Sequence, residues 1–475
     1  MHSEVADIVS SAAQARRAQE GPLDVQMPQT LSPQQRAVQG RDARAQYPLS
    51  QLGQYEMRHD SSIALDLIAS QETARVQALL PLRHERMAES PFAFYRGSAI
   101  VMAHDLGQGG NSSLQSQLCG DAHMLNFGVF AAPDRTTVFD INDFDETHPG
   151  PFEWDLHRLL TSIVLAGEDV KMDRKAIRRA VTEAAMQYVR SIHSFAAMGE
   201  IDIWYARTTV DAIMKHVKQH RQPGLEKAIS ATIQESQRKS MWSAIEKFTT
   251  LGPEGRVFRN DPPILERIPM DGAIRENIYE LYDHYKSTLP AYRRQLLDRY
   301  HIIDIGHKVV GVGSVGLLAF VTLLQGRAEN DFIVLQSKQA VESVLEPYTR
   351  AAEFETHGER VVVGQQVMQS ASDSFLGWYR GREGRSFYTR QLRDKKGSIS
   401  LKTLNPEVLA AYGSLCAHVL SRAHARSGDP LVIASYLGDS EEAAEAFTTH
   451  ALAYREQVHQ DYRAYSQAFA SRSDK

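Results

Sequence analysis

Cysteine is scarce in this sequence. The 475 residues include two, Cys119 and Cys416, which lie far apart and form no Cys-x-x-Cys spacing. Two distant cysteines provide neither a disulfide framework nor a zinc ribbon, so we expect a protein of the reducing cytoplasm. We interpret Cys119 as a small buried residue rather than a reactive thiol, because nothing near it in sequence would lower its pKa.

Long apolar segments and a strong charge of either sign are also absent. No apolar run reaches the length of about 18 residues that a membrane span requires, and the first residues hold no stretch typical of a secretory signal, so we expect neither export nor a membrane partner. A formal net charge of -5 does not favour nonspecific nucleic-acid binding. The 18 histidines include no His-Glu-x-x-His spacing, which argues against a metallohydrolase.

The most informative polar segment is residues 120–126, where Asp121 and Asn126 lie five positions apart. A second acidic cluster follows at residues 140–145, and short strand-like runs place both clusters at strand ends. A phosphotransferase needs a carboxylate that deprotonates the acceptor hydroxyl and hard oxygen ligands that hold Mg²⁺. We predict Asp121 as the catalytic base and Asn126 and Asp143 as the metal ligands. An isolated Asp-x-x-x-x-Asn pair would more often be a polar turn.

These residues resemble motifs of aminoglycoside phosphotransferases and choline kinases. Their catalytic loop, His-Gly-Asp-x-His-x-x-Asn, is matched by Gly120-Asp121-Ala122-His123-Met124-Leu125-Asn126, with Cys119 in place of the first His. Asn142-Asp143-Phe144-Asp145 resembles their metal-binding motif, and Gly150-Pro151-Phe152-Glu153-Trp154-Asp155-Leu156 resembles the segment that buries an Asp behind the loop. The resemblance implies ATP and Mg²⁺ as cofactors, with His123 and Asp155 in structural roles. Residues 90–429 further resemble a bacterial family of uncharacterised proteins with a kinase-like core.

A glycine-rich segment lies downstream of these motifs. Residues 309–316 fit Gly-x-Gly-x-x-Gly through Gly311, Gly313 and Gly316, with Ser314 among them. The apolar runs 317–324 and 332–338 then predict a β-hairpin that ends at Lys338. We predict that these four residues and Lys338 bind the phosphates of a nucleotide. A dinucleotide-binding unit is the alternative, but it would place a ribose-binding acid where Lys338 stands.

Several charged side chains receive roles with alternatives. Lys338 needs an acidic partner, for which Glu359 is the best-spaced candidate and Glu346 the next. Asp140 and Asp145 either assist a second metal ion or are exposed. The arginines Arg96 and Arg390 contact phosphate in one interpretation and are packed ion-pair partners in the other.

The order of the motifs predicts a circular permutation. The fold class expected is α+β: a two-lobed, protein-kinase-like fold with a mainly helical large lobe and a small antiparallel β lobe. We expect an N-terminal arm over 1–54, a helical lobe with the catalytic and metal loops over 55–300, and a β-rich clamping lobe over 301–400. Helices over 401–475, including one at 406–425, complete the large lobe. Termini tolerate such cuts when the same elements still pack.

The predicted function is ATP- and Mg-dependent phosphoryl transfer to an unknown hydroxyl acceptor, either a small molecule or a protein. Two alternatives use the same site: a nucleotide-binding module without transfer activity, and a nucleotidyl transferase. The acceptor is not readable from the sequence. We expect the segment 301–400 to pack over the loops at 119–146 and to bring Lys338 close to Asp143.

Overall fold

Helices and antiparallel strands both contribute to the fold, as the predicted α+β class requires. The computed structural model describes residues 31–473 except 221, 239–240, 254, 263, 310–315, 352–353, 393–396 and 439. The strands, in chain order, are β1 Gln115–Leu118, β2 Phe127–Ala131, β3 Thr137–Ile141, β4 His148–Pro151, β5 Thr249–Gly252, β6 Gly255–Phe258, β7 Leu265–Arg267, β8 His301–Lys308, β9 Ala319–Gln325, β10 Phe332–Ala340, β11 Gly377–Arg380 and β12 Ser386–Gln391. The α-helices are Pro33–Gln46, Leu49–Leu52, Ser62–Ser70, Leu80–Met87, Pro91–Gly97, Ala99–Gln108, Glu153–Asp169, Arg174–Ala196, Glu200–Tyr205, Val210–Gln219, Pro223–Arg238, Met241–Phe248, Gly272–Ser287, Ala291–Leu297, His357–Met368, Pro406–Ser427, Pro430–Leu437 and Ser440–Ser473.

A six-stranded antiparallel sheet is the main β element, with strand order β11-β12-β10-β9-β8-β7. Strands β9 and β10 form the predicted hairpin, in register from Phe332 opposite Gln325 to Lys338 opposite Ala319. The sheet begins earlier in the chain than predicted, because Leu265 of β7 is buried in an apolar cluster with side chains of β9 and β10. Burial of that leucine ties β7 to the sheet.

The helical core is built around long helices from both halves of the chain. Pro406–Ser427 corresponds to the helix predicted at 406–425 and packs against Arg174–Ala196. Its start is specified locally: the Asn405 side chain accepts a hydrogen bond from the Val408 backbone N–H at 2.9 Å, and proline occupies the first turn. Most of the helix is buried, so tertiary packing stabilises it more than propensity does.

The described part of the predicted N-terminal arm packs against the rest of the fold. Helix Pro33–Gln46 contacts helix Pro430–Leu437, and a Cβ at Gly40 would lie 2.3 Å from the Val432 carbonyl oxygen. Only glycine permits this approach. Among the described residues, no helix combines the length and apolar character needed to cross a bilayer.

Candidate functional site

The loop predicted to be catalytic lies between β1 and β2, and its backbone is fixed from behind by a buried carboxylate. Asp155 accepts hydrogen bonds from the Cys119 and Gly120 backbone N–H groups at 2.7 and 3.0 Å. Gly120 has φ +79°, and a Cβ there would lie 2.2 Å from the Glu146 carbonyl oxygen. Glycine is therefore required at this turn. Cys119 is buried, and burial raises the pKa of its thiol well above the ordinary value, in line with the structural role predicted for it.

Asp121 is held by a buried arginine that sequence reasoning missed. The Arg158 Nε and Nη2 atoms lie 2.8 and 2.7 Å from Asp121 Oδ1. Arg158 also lies over the Tyr95 ring, 4.0 Å from its centroid, and donates to the Tyr95 carbonyl oxygen at 2.8 Å. Burial alone would lower the pKa of Arg158, but the Asp121 charge raises it above its usual range. A fixed guanidinium thus orients the Asp121 carboxylate, whose side chain remains 21% exposed.

Asn126 connects the predicted catalytic loop, residues 120–126, to the predicted metal-binding segment, residues 142–145. Its amide nitrogen donates to the Asp121 backbone oxygen at 2.6 Å, and its own backbone oxygen accepts from the Asn142 N–H at 2.7 Å. Because the amide nitrogen is engaged, the amide oxygen is the side-chain atom left to face a cation. His123 is buried next to this turn, with Nε2 at 3.7 Å from Asp121 Oδ2.

Lys338 approaches the predicted metal-binding segment from strand β10. Its Nζ lies 3.0 Å from Asp145 Oδ2, and the Tyr388 hydroxyl donates to Asp145 Oδ1 at 2.5 Å. Burial opposes ionisation of Asp145, but the Lys338 charge and the Tyr388 hydroxyl hold its pKa below the usual range. Burial and the Asp145 charge raise the pKa of Asp143. The structure therefore brings Lys338 next to both carboxylates.

The acidic partner of Lys338 is Asp145, so the prediction of Glu359 is wrong, as is the second choice of Glu346. Glu359 lies in the first turn of helix His357–Met368, and its carboxylate accepts from a backbone N–H at 2.9 Å. The next residue, Arg360, is the one that points inward. It donates to the Asp145 carbonyl oxygen at 3.1 Å and lies 3.3 Å from Glu346.

Asp140 is neither a metal-facing residue nor an exposed one, contrary to both predicted alternatives. It is fully buried, and its Oδ1 lies 2.6 Å from Arg422 Nη2. Its Oδ2 accepts from the Ser370 N–H and hydroxyl at 2.9 and 2.8 Å. Strand β3 directs this side chain inward, away from the loop that carries Asp143, and the arginine compensates its charge.

Several of the predicted site residues line one cavity of about 300 Å³. Its walls include the predicted residues Asp121, Asn126, Asp143 and Lys338, together with Asp145 and Arg390. The volume lies at the lower end of the range of about 300–1,000 Å³ that is usual for small-molecule sites. Within the described ranges, no group of three or more His, Cys, Asp or Glu side chains is arranged as a metal site, which leaves a mixed Asp and Asn ligand pair as the candidate.

Of the four residues predicted to bind phosphate in the glycine-rich segment, Gly316 lies within the described part of the chain. Gly311, Gly313 and Ser314 lie outside the described residues. Gly316 has φ +93°, and a Cβ there would lie 2.9 Å from Arg75 Cβ. Its carbonyl oxygen accepts from the Val76 N–H at 2.8 Å.

Two arginines near the site were not predicted: Arg158, which holds Asp121, and Arg75, which lines the cavity. Arg158 follows Asp155 by three positions on helix Glu153–Asp169, so both project from the same side toward the catalytic loop. That spacing was available in the sequence. Arg75 lies far upstream of every motif, and no local pattern marks it.

The chain belongs to a bacterial protein family. The family described as "uncharacterized protein conserved in bacteria (DUF2252)" matches residues 75–468, which is most of the chain. Comparison with curated proteins and with solved structures gave no match. Family membership alone assigns no reaction, so a function has to be argued from the cavity and its side chains.

Proposed function

We propose that this protein is an ATP- and Mg²⁺-dependent phosphotransferase with a circularly permuted, protein-kinase-like fold. The observation that carries the proposal is the composition of the cavity. It unites a carboxylate held by an arginine, an Asn and Asp pair, and a lysine whose partner carboxylate lies 193 residues away in sequence. Protein kinases use these four side-chain types at one site.

The order of elements in the six-stranded sheet supports the proposal. The glycine-rich segment connects the neighbouring strands β8 and β9, Lys338 lies on the next strand β10, and helix His357–Met368 follows. In protein kinases a glycine-rich loop covers the phosphates and the lysine is on the third strand of the small lobe. Here that lobe follows the catalytic loop in sequence, which is the permuted order.

The donor set fits a magnesium ion. Carboxylate and amide oxygens are ligands that Mg²⁺ accepts, and Asn126 and Asp143 supply one of each. Burial and the neighbouring Asp145 disfavour the charged form of Asp143, and a divalent cation would restore it. When bound, the ion would neutralise charge on the phosphate oxygens.

In the proposed reaction, Asp121 orients the acceptor hydroxyl and takes its proton. The acceptor oxygen forms a bond to the γ-phosphorus while the bond between that phosphorus and ADP breaks. Arg158 keeps the Asp121 carboxylate aligned, and Asp155 keeps the loop backbone in place. Lys338 supplies positive charge for the remaining phosphates. Catalysis of this kind depends on positioning and electrostatics more than on covalent chemistry.

The test uses purified protein with ATP labelled at the γ- or the α-phosphate. We expect Mg·ATP to raise the melting temperature, by a stabilisation of about 2.7 kcal/mol at 100 times Kd, and the γ-label to move to an acceptor or to water. Asp143→Asn should abolish the shift, whereas Asp202→Asn, at an exposed position outside the cavity, should not.

Other outcomes point to the alternatives. Transfer of the α-label would indicate a nucleotidyl transferase, and a melting shift without any transfer would indicate a nucleotide-binding module. A melt that does not move at millimolar nucleotide, with or without Mg²⁺, would contradict nucleotide binding altogether.

A further inference from the structure

The cavity has a second source of positive charge besides Lys338. Arg75 and Arg96 line it from the segment that precedes the catalytic loop, whereas Lys338 and Arg390 line it from strands β10 and β12. Two groups of cations thus reach the same cavity from different parts of the fold. A nucleotide clamped by Lys338 accounts for only one of them.

Arg96 lines the cavity together with Asp121. It is in the last turn of helix Pro91–Gly97, with Cζ at 5.9 Å from the centroid of the Phe92 ring. Burial lowers the pKa of Arg96, and the charges of Asp121 and Glu89 oppose that shift. Arg96 is thus close enough to Asp121 for their charges to interact.

The hydrogen-bonding capacity of Arg96 is incompletely used. Among the described residues, its Nε is buried and has no hydrogen-bond partner. The Asp121 carboxylate does not fill this role: its Oδ1 is held by Arg158 at 2.7 Å, its Oδ2 lies 3.7 Å from His123 Nε2, and neither oxygen accepts from the Arg96 Nε–H. A buried guanidinium N–H without a partner is destabilising, and an anion that accepted from it would remove this cost.

The position of Arg96 in the cavity indicates which bound molecule would carry that anion. If Asp121 is the base, the acceptor hydroxyl must lie within hydrogen-bond reach of it. Arg96 lines the same cavity as Asp121, and a guanidinium fork matches a phosphate or a carboxylate. We infer that the acceptor is an anionic alcohol whose phosphate or carboxylate group binds Arg96 while its hydroxyl faces Asp121. The identification of the bound molecule as the acceptor rests on the proposed function. The existence of an anion-binding site at Arg96 does not.

A matched series of small alcohols tests the inference. Glycerol 3-phosphate, glycerate and glycerol share a hydroxylated carbon skeleton and carry a phosphate, a carboxylate and no charge. Each is titrated by calorimetry into the protein with and without Mg²⁺ and a non-hydrolysable ATP analogue. We expect at least one of the two anions to bind and glycerol not to bind. The preferred anion identifies the acceptor group.

Variants of Arg96 assign the binding to this residue. Arg96→Gln should weaken anion binding at least tenfold while the affinity for the ATP analogue stays within about twofold, since only the acceptor end changes. Arg96→Lys keeps the charge but not the guanidinium fork, so its loss of anion affinity should be intermediate. This variant replaces Arg96→Gln in the test if Arg96→Gln does not fold. Arg327→Gln, at an exposed turn outside the cavity, is the matched control and should bind as the wild type does.

The possible failures are distinguishable. Equal binding of anions by wild type and Arg96→Gln, or no binding at millimolar concentration, overturns the inference and leaves the proposed function standing. An equal loss of ATP-analogue affinity in Arg96→Gln also overturns it, because Arg96 would then belong to the nucleotide clamp. Anion binding that depends on Arg96 without any nucleotide binding would keep the anion site and refute the phosphotransferase proposal.

Discussion

Replacing Lys338 by Met should destabilise the fold, in addition to any effect on nucleotide binding. Lys338 is 8% exposed and its partner Asp145 is 22% exposed, so both charges lie largely away from water. Removing the cation leaves Asp145 next to Asp143, with the Tyr388 hydroxyl still donating to Asp145 and the charge of Arg390 still acting on both carboxylates. Two neighbouring carboxylates that lose their nearest counter-charge are destabilised.

The size of the effect follows from the geometry. Breaking a buried pair by removing one partner costs about 3–5 kcal/mol, and we expect about 3 kcal/mol because Tyr388 still donates to Asp145. Asp145→Asn should cost less, about 1–2 kcal/mol, since Asp143 remains as a charge partner for Lys338. In the double variant the carboxylate that contacts Lys338 is gone and Asp143 has no like-charged neighbour at position 145, so we expect a coupling free energy of about 1–3 kcal/mol between the two positions.

The pH dependence gives an independent check on the same pair. In the wild type the folded-state pKa of Asp145 is depressed, so its stabilising contribution is present above the unfolded value of about 3.9 and is lost as the pH falls through the folded pKa. In Lys338→Met, burial without the lysine should raise that pKa instead. The gap in unfolding free energy between the two proteins should therefore narrow as the pH falls from neutral to about 4.

Urea denaturation of the wild type, the two single variants and the double variant measures all of these quantities, provided the m-value is unchanged. Circular dichroism at neutral and acidic pH is sufficient. A loss below about 1 kcal/mol in Lys338→Met, together with no coupling to Asp145→Asn, would show that the pair does not stabilise the fold and would refute this reasoning.

Three further predictions concern other ionisable side chains. Asp121→Asn should abolish transfer while the affinity for Mg·ATP stays within a few fold, and it should lower the urea midpoint because Arg158 loses its counter-charge; undiminished turnover would remove this residue from the mechanism. Asp140→Ala should cost about 3–5 kcal/mol in urea denaturation because Arg422 is left buried without its partner, and a loss under about 1 kcal/mol would refute this. His450 is buried, and burial lowers its pKa to about 3, so this side chain stays neutral in the folded protein. The unfolding free energy is therefore highest above the unfolded-state pKa of this histidine and decreases as the pH falls below that value. The unfolding free energy should therefore drop by about 1.4 kcal/mol at pH 5.5 through this residue, and His450→Phe should remove that drop; equal pH slopes for both proteins would contradict it.

Local patterns were enough to predict the elements that carry the site. The apolar runs on either side of the turn at 326–331 predicted the β9–β10 hairpin, and the structure confirms it with bounds shifted by one or two residues. The proximity of Lys338 to the loop of Asp143 was also predicted, from the resemblance of the motifs to those of a kinase-like core. The hairpin prediction used the spacing of residue types within short segments, which a sequence displays directly.

The pairing of charges was not predictable in the same way. Glu359 and Arg360 are adjacent on a helix and therefore point about 100° apart, so choosing between them requires the phase of the helix. Helix His357–Met368 is buried on several sides, including at Gly358, Val361 and Gln365, and its sequence shows no single apolar face. Without such a face the periodic pattern cannot indicate which side chain points inward. The partners of Lys338 and Asp140 are set by packing between distant segments.

The Asp140–Arg422 contact has a consequence for the synthesis of the protein. The two residues are 282 positions apart in the sequence. Asp155 and its contact His424 are 269 positions apart. At a translation rate of about 5–20 residues per second, roughly 15 to 60 s pass between the emergence of Asp140 and that of Arg422. During that interval the strand that leads into the predicted metal-binding segment lacks the charge that lets it be buried. We therefore expect the cavity to form only after residues 422–424 have left the ribosome, so that products terminated before residue 422 would contain most of the predicted site residues but not the assembled site.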